Sequence, residues 1–240
     1  MLFNKQLGND LECKSHLIFH NSALSQYCTE DEKSLIVKNL IHRSYHRNEV
    51  VFYEGQPSFL IYFICSGVVK LWKEGCHKLE QSIRFSKTGD MFGFWGSLEN
   101  SNYSLSATAI SDSELYFIKK DIFLPIVQAN SSLNMLLHDY IKELNKTEDS
   151  LRNMAEMNVR EKVAHSLLEL LDLFRNNLDE HTYKIVLSRK EISSLSAISE
   201  DRVSKQLSDF KKERKIIVEG AKTFIDKQAL QEIIKPYMLS

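Results

Sequence analysis

Hydrophobic positions along this chain of 240 residues change period as the sequence proceeds. Between residues 50 and 118, short runs rich in β-branched and aromatic residues follow one another: Val50–Tyr53, Leu60–Ile64, Val68–Trp72, Gln81–Phe85, Ser104–Ala109 and Glu114–Ile118. Six of the eight glycines (Gly55, Gly67, Gly75, Gly89, Gly93 and Gly96) punctuate that stretch. Short strands at regular spacing with glycine-bearing turns predict an antiparallel barrel or jelly roll. Ahead of them, Thr29 to Ile41 reads as a helix, opened by Thr29 with Glu32 three residues on in a capping-box spacing.

From about Lys120 the period turns helical. Leu133, Leu137, Tyr140, Leu144, Thr147, Leu151 and Met154 stand alternately four and three residues apart, an a/d heptad seam with Thr147 as its one polar member. A long helix with such a seam predicts a parallel homodimer; the competing reading buries the seam inside one chain. A further helix, Val159 to Phe174, has Val163, Leu167, Leu170 and Leu171 as its apolar face.

Residues 187–210 read as a helix-turn-helix. Ser188 and Glu191 form a capping box, and Ile192 and Leu195 lie one turn apart on the short helix it opens. Ala197 and Ile198 make the tight connection, where a small residue lets two helices meet steeply. Ser199 is the expected cap of the second helix, with Glu200 and Asp201 at its positive end. Val203, Leu207 and Phe210 form the buried stripe, which leaves Glu200, Asp201, Ser204, Lys205 and Ser208 facing outward. Lys211, Lys212, Arg214 and Lys215 close the helix with positive charge that suits both its dipole and a phosphate backbone. Ile216-Ile217-Val218 and Thr223-Phe224-Ile225 around Glu219-Gly220-Ala221-Lys222 then read as a hairpin, so the unit is a winged helix-turn-helix.

Charge sharpens this only slightly. Arg189 to Lys215 holds eight Lys/Arg against five Asp/Glu, in a chain whose formal net charge is −1. No apolar run approaches the roughly 20 residues that span a bilayer, and Met1 to Asp10 lacks the basic start and apolar stretch of a signal peptide. The expectation is a cytoplasmic protein with no membrane partner. The four cysteines (Cys13, Cys28, Cys65 and Cys76) include no C-x-x-C pair. Cys13, His16, His20 and Cys28 match no compact ligand spacing, so neither metal nor cofactor is expected. His42 and His46 stand four apart, but no glutamate follows the first, and no other nucleophile–base, phosphate-loop or paired-carboxylate pattern occurs. An enzyme is not expected.

A β-roll, a dimerising helix and a winged helix in that order resemble the Crp/Fnr family of transcription regulators. The resemblance covers roughly Ala23 to the C-terminus. It is carried by Phe52-Tyr53-Glu54-Gly55-Gln56-Pro57, by Tyr62 to Leu71, by Gly89-Asp90-Met91-Phe92-Gly93, by Ala107-Thr108-Ala109 and by the helix-turn-helix. It implies an α+β fold: an antiparallel β-roll of the cupin-like, cyclic-nucleotide-binding-domain type over 1–120, a long dimerisation helix over 121–155, and a winged helix-turn-helix over 156–240. The implied function is a dimeric, sequence-specific regulator of transcription that reads a near-palindromic double-stranded DNA site, with RNA polymerase as a further partner. The alternative is an effector- or redox-sensing protein that acts through protein contacts rather than DNA.

The resemblance also implies where a signal would enter. Family members that bind cyclic AMP carry Gly-Glu for the ribose and Arg-Ser for the phosphate. Here those places read Gly93-Phe94 and Tyr103-Ser104, and no arginine occurs between Arg84 and Arg152. A buried phosphate needs a guanidinium fork or equivalent donors, so the expected signal is not cyclic AMP. Phe92, Gly93, Phe94, Trp95, Tyr103 and Ser104 mark the ancestral pocket. Its aromatic wall either takes a flat or apolar small-molecule effector or simply fills the space. The Cys-x-His that would ligate haem is absent, and Cys13 and Cys28 fit the oxygen-sensing cysteine cluster poorly.

For DNA, the matching run is Glu200-Asp201-Arg202-Val203-Ser204-Lys205. Asp201 stands where the family has the glutamate that accepts from cytosine, Ser204 matches a serine, and Lys205 replaces the guanine-reading arginine. Ser188, Arg189, Ser199, Lys211 and Lys212 complete the expected contact set.

Overall fold

The computed structural model describes residues 23–74, 80–94, 102–138, 154, 156–173, 183–185, 188–219 and 222–238. The chain divides into two compact units: one combines 1–71 with 85–145, the other 72–84 with 146–240.

A 3-10 turn (Ala23–Tyr27) leads into α1 (Glu30–Asn39). The capping box is formed: Thr29 Oγ1 accepts from Glu32 N–H, and Glu32 accepts from Thr29 N–H at 2.8 Å. The helix stops two residues before the predicted end, and Ile41 opens β1 (Ile41–Tyr45). Pairing of Ile41 with Phe117 outweighs another helical turn there. The other strands fall near the predicted runs: β2 (Val50–Phe52), β3 (Leu60–Ser66), β4 (Val68–Glu74), β5 (Glu80–Lys87), β7 (Ser106–Ala109) and β8 (Ser113–Lys119). Between them lies β6 (Met91–Phe92), too short for a periodic signal.

They form two four-stranded sheets, ordered β1-β8-β3-β6 and β2-β7-β4-β5. Inward residues of both sheets, among them Tyr45, Ile64, Val69, Leu71, Ala107, Ala109 and Leu115, make one core. The turn from β3 to β4 needs Gly67, whose φ of +94° is a backbone state that L side chains rarely adopt.

A second core lies where α1 and α2 (Lys120–Ala129) cover β8. The helical stretch from Lys120 is not continuous. Asn130 ends α2 in an extended conformation. Its side-chain oxygen accepts from the backbone N–H groups of Ser132 and Leu133, starting α3 (residues 131–138) as a fresh helix. Leu133 and Leu137, the first two seam positions, are buried in this core with Ile36, Val37, Phe123 and Val127. They are therefore occupied within one chain, and any seam between copies must be made by later residues. Tyr140, Leu144, Thr147 and Leu151 lie outside the described residues; Met154 is buried.

In the second unit α4 (Val159–Leu173) packs against α5 (Arg189–Ser196), α6 (Glu200–Lys212) and α7 (Lys227–Met238). Its expected apolar face, Val163, Leu167, Leu170 and Leu171, is fully buried. The predicted hairpin is β10 (Ile216–Glu219) with β11 (Lys222–Ile225), paired so that Glu219 meets Lys222. A third strand, β9 (Tyr183–Ile185), joins the far side of β11. Neither β9 nor α7 was visible as a periodic run. Among the described residues, no helix is long and apolar enough to cross a membrane.

Candidate nucleic-acid interface

The helix-turn-helix is built from its caps inward. Glu191 accepts from both the N–H and the Oγ–H of Ser188 at 2.7 and 2.9 Å, while Ser188 Oγ accepts from Glu191 N–H. Ser188 thereby fixes the start of α5, and its hydroxyl is engaged before any DNA arrives. The turn passes through Ala197 at φ 53°, a left-handed residue that is not glycine. Three bonds hold it there: Ile198 N–H donates to Ser193 O, Ser193 Oγ to Ile198 O, and Ser196 Oγ to Ile192 O. Ser199 does sit at the N-cap of α6, but its side chain makes no capping bond, contrary to expectation. The acidic pair Glu200 and Asp201 supplies the favourable charge at that helix end.

On α6, Val203 and Phe210 are buried; Leu207 is only half-buried, so the stripe is narrower than predicted. The opposite face is open. Arg189, Ser199, Glu200, Asp201, Arg202, Lys205, Lys211 and Lys212 are exposed, and Ser204 is half-buried beside them. Glu200 to Lys205 occupy the first turn and a half of the helix, where side chains of an inserted helix reach base edges. Lys211 and Lys212 stand at its far end, with Lys212 in a loose 3.6 Å pair with Asp209.

Two groups that anchor this helix gave no sequence signal. Arg160 of α4 donates both guanidinium arms to Glu213, at 2.7 and 2.6 Å, and lies 4.9 Å from the centre of the Phe210 ring. The Arg160 fork, helped by Lys215 at 3.3 Å, holds the Glu213 carboxyl down to about 2. Lys215 N–H donates to Phe210 O, so the chain leaves the helix along a fixed path into β10. An arginine 53 positions upstream cannot be matched to its partner by local spacing.

The ancestral pocket residues separate into two places. Phe92 and Tyr103 belong to the core between the sheets, whereas Phe94 is buried in the other core with α1 and α2. Tyr103 stacks on Phe52 at a centroid distance of 3.8 Å, and Phe92 on Tyr62 at 5.1 Å. Phe52 and Tyr62 were not among the expected residues; they complete the aromatic filling. The Tyr103 hydroxyl donates to Leu60 O at 3.0 Å and accepts from Leu60 N–H at 3.3 Å. Burial holds the Tyr62 and Tyr103 hydroxyls protonated well above the usual tyrosine range. Gly93 turns at φ +88° with Leu60 O and the Tyr62 ring 3.1 Å from where a Cβ would stand. Ser104 is exposed, and Trp95 lies outside the described residues.

No group of three or more His, Cys, Asp or Glu side chains that could hold a metal occurs among the described residues. Cys28 is buried, and burial pushes its thiol up to about 11, which disfavours the thiolate a metal needs. Cys13, His16, His20 and Cys76 lie outside the described residues.

A family model for the cyclic nucleotide-binding domain matches residues 42–130, and one for the Crp-like helix-turn-helix domain matches residues 161–233. The chain is 26% identical over 193 residues to the CRP-like cAMP-activated global transcriptional regulator of Mycobacterium tuberculosis, across 79% of this chain and 86% of that one. It is 24% identical over 198 residues to the Cyclic AMP receptor protein of Thermus thermophilus, across 81% and 85%. FixK2 from Bradyrhizobium japonicum shares the fold with a TM-score of 0.72 at 21% identity, over 81% of this chain and 96% of that one. With a β-roll, a capped helix-turn-helix and a wing in this order, the chain belongs to the Crp/Fnr family of DNA-binding transcription regulators.

Proposed function

We propose that the protein is a dimeric regulator that reads a near-palindromic DNA site and whose β-roll works without cyclic AMP. The observation that carries this is the stacked interior of Phe52, Tyr62, Phe92 and Tyr103. A cyclic nucleotide places a charged phosphate among buried donors, and a phosphate left without a cation or a donor set is strongly disfavoured there. The rings at this place offer no cation, and the Tyr62 and Tyr103 hydroxyls are already bonded to each other. Tyr103 already spends its hydroxyl on both polar groups of Leu60. The M. tuberculosis and T. thermophilus relatives are named for cyclic AMP; the residues here do not fit that ligand. Titration calorimetry with cyclic AMP is expected to show no heat of binding at millimolar ligand. Micromolar affinity would overturn the reading.

On DNA, Asp201 and Lys205 are the residues aimed at bases, with Arg189, Lys211 and Lys212 on phosphates. Asp201 accepts from a cytosine amino group, and Lys205 donates to guanine as a point charge rather than a fork. Lys205→Ala is expected to weaken binding to the selected site by about 1–3 kcal/mol, roughly ten- to hundredfold, and to relax one base position. An unchanged affinity would favour action through protein contacts and sink the DNA reading.

Dimerisation is assigned to Tyr140, Leu144, Thr147 and Leu151, because Leu133, Leu137 and Met154 are already buried within the chain. Two recognition helices related by a twofold axis then read half-sites about one helical turn apart. Leu144→Asp is expected to shift the protein toward monomer in sedimentation; a dimer that persists would place the interface elsewhere. RNA polymerase is the partner such a regulator would meet at a promoter.

A further inference from the structure

Strand β5 runs unbroken from Glu80 to Lys87, yet its residues belong to two compact units: Glu80 to Arg84 lie with the helix-turn-helix, and Phe85 to Lys87 with the β-roll. What holds the first part in place is a small set of polar contacts with α5. Ser82 N–H donates to Ser194 Oγ at 3.1 Å, and the two serine oxygens stand 2.8 Å apart. Ser194 Oγ–H in turn donates to the Glu80 carbonyl at 2.8 Å. That leaves the Ser82 hydroxyl as donor to Ser194. One hydroxyl has a single proton and two lone pairs, so Ser194 spends its whole capacity on two residues of one strand, Glu80 and Ser82. Both serines are buried, at 1% and 6% exposure. At the rim, the Lys190 ammonium stands 3.8 Å from the Glu80 carboxylate, a solvated pair that steers more than it holds.

We propose that Glu80–Ser82 is a clasp on the helix-turn-helix, and that its engagement on Ser194 sets DNA affinity. The inference rests on the DNA reading given above. Three features support it. Ser194 and the buried residues Ile192 and Leu195 anchor α5 by different means: the serine by hydrogen bonds to a strand, the apolar pair by burial in a helix that packs on its neighbours in the same unit. With the clasp made, Glu200, Asp201, Arg202 and Lys205 are all exposed, so holding α5 and reading bases use different surfaces. The contact is also cheap to open. Water replaces each of these hydrogen bonds when a serine is uncovered, unlike an apolar contact, and elements secured this way are the ones that switch. A shift of β5 along its own axis, transmitted from Phe85 to Lys87, removes both donors to Ser194 at once. The clasped state is the DNA-binding one, because a fixed α5 fixes the Ala197 turn and the start of α6.

The test uses the full chain and the duplex that it selects from a random-sequence pool. Ser82→Leu blocks the clasp from a residue that never faces DNA. We expect a loss on the order of tenfold in affinity for the selected duplex, within the usual range of coupling between sites, with an unchanged melting transition and faster amide hydrogen exchange at residues 80–84. Ser82→Thr, which keeps the hydroxyl, restores the affinity. The Ser82→Cys/Ser194→Cys pair, cross-linked and verified by peptide mass, binds at least as tightly as the unaltered protein. Full affinity in Ser82→Leu overturns the clasp. So does a cross-linked form that releases DNA and regains it with reductant, since the clasped state would then be the inactive one. A pool from which no sequence is enriched overturns the DNA reading itself, and the clasp with it.

Discussion

Phe210→Ala is expected to cost the C-terminal unit about 3–5 kcal/mol of stability and with it specific DNA binding. Phe210 is fully buried at the end of the recognition helix, so truncation removes its transfer free energy and leaves a cavity. The loss extends to a charged neighbour. Arg160 lies over the ring while gripping Glu213 with both arms, and a guanidinium over an aromatic face adds roughly 0.5–2 kcal/mol. Phe210→Leu keeps most of the volume and loses the ring, so it should fall between the two. Urea unfolding followed by circular dichroism measures both variants. A cost below about 1 kcal/mol for the alanine, the range of a surface substitution, would show that Phe210 does not anchor α6.

The second large effect is placed in the β-roll. Gly67→Ala is expected to destabilise that unit by more than about 3 kcal/mol, close to the limit of what a single substitution does. An alanine Cβ there would stand 2.2 Å from Ser113 Oγ and 2.7 Å from the Asp112 carbonyl and the Ser113 Cα, while φ stays at +94°. Two of these three atoms are backbone, so relief requires the strand to move. Gly89→Ala is the control, because Gly89 has a similar φ of +93° but nothing within 4 Å of its Cβ position. It should show only the conformational strain, about 1–3 kcal/mol. Equal costs at both sites, measured by denaturant titration, would show that β3 and β8 yield freely at this turn.

Both effects involve pairs of residues that are distant in sequence, and this marks where the sequence stopped being informative. The capping boxes of Thr29 and Ser188 and the two helices of the helix-turn-helix were legible because each rests on contacts within four residues, and the strand runs because their composition and glycine-bearing turns are local even though their pairing is not. Ile41 was misplaced because its preference is decided by a partner 76 positions away, Phe117. The aromatic residues at the ancestral pocket were recognisable, but which of them share a core was not: alternation would put Phe92 and Phe94, two apart, on one face, yet the left-handed turn at Gly93 breaks the strand between them and sends them to different cores. The heptad spacing was real in the sequence, yet spacing alone cannot say whether Leu133 and Leu137 meet another chain or their own β-roll.

The sequence by itself determined the order of the parts, the capped starts of the first helix and of the helix-turn-helix, and the exposed face of its second helix, since capping, alternation and amphipathic period are local and act before the chain has folded. Tertiary structure alone decided that Arg160 grips Glu213, that Phe52 and Tyr62 close the ancestral pocket, and that Ser82 reaches Ser194 across 112 positions. Such contacts depend on which faces the fold brings together, and a serine or an arginine carries no mark of its partner until the surrounding chain has buried both.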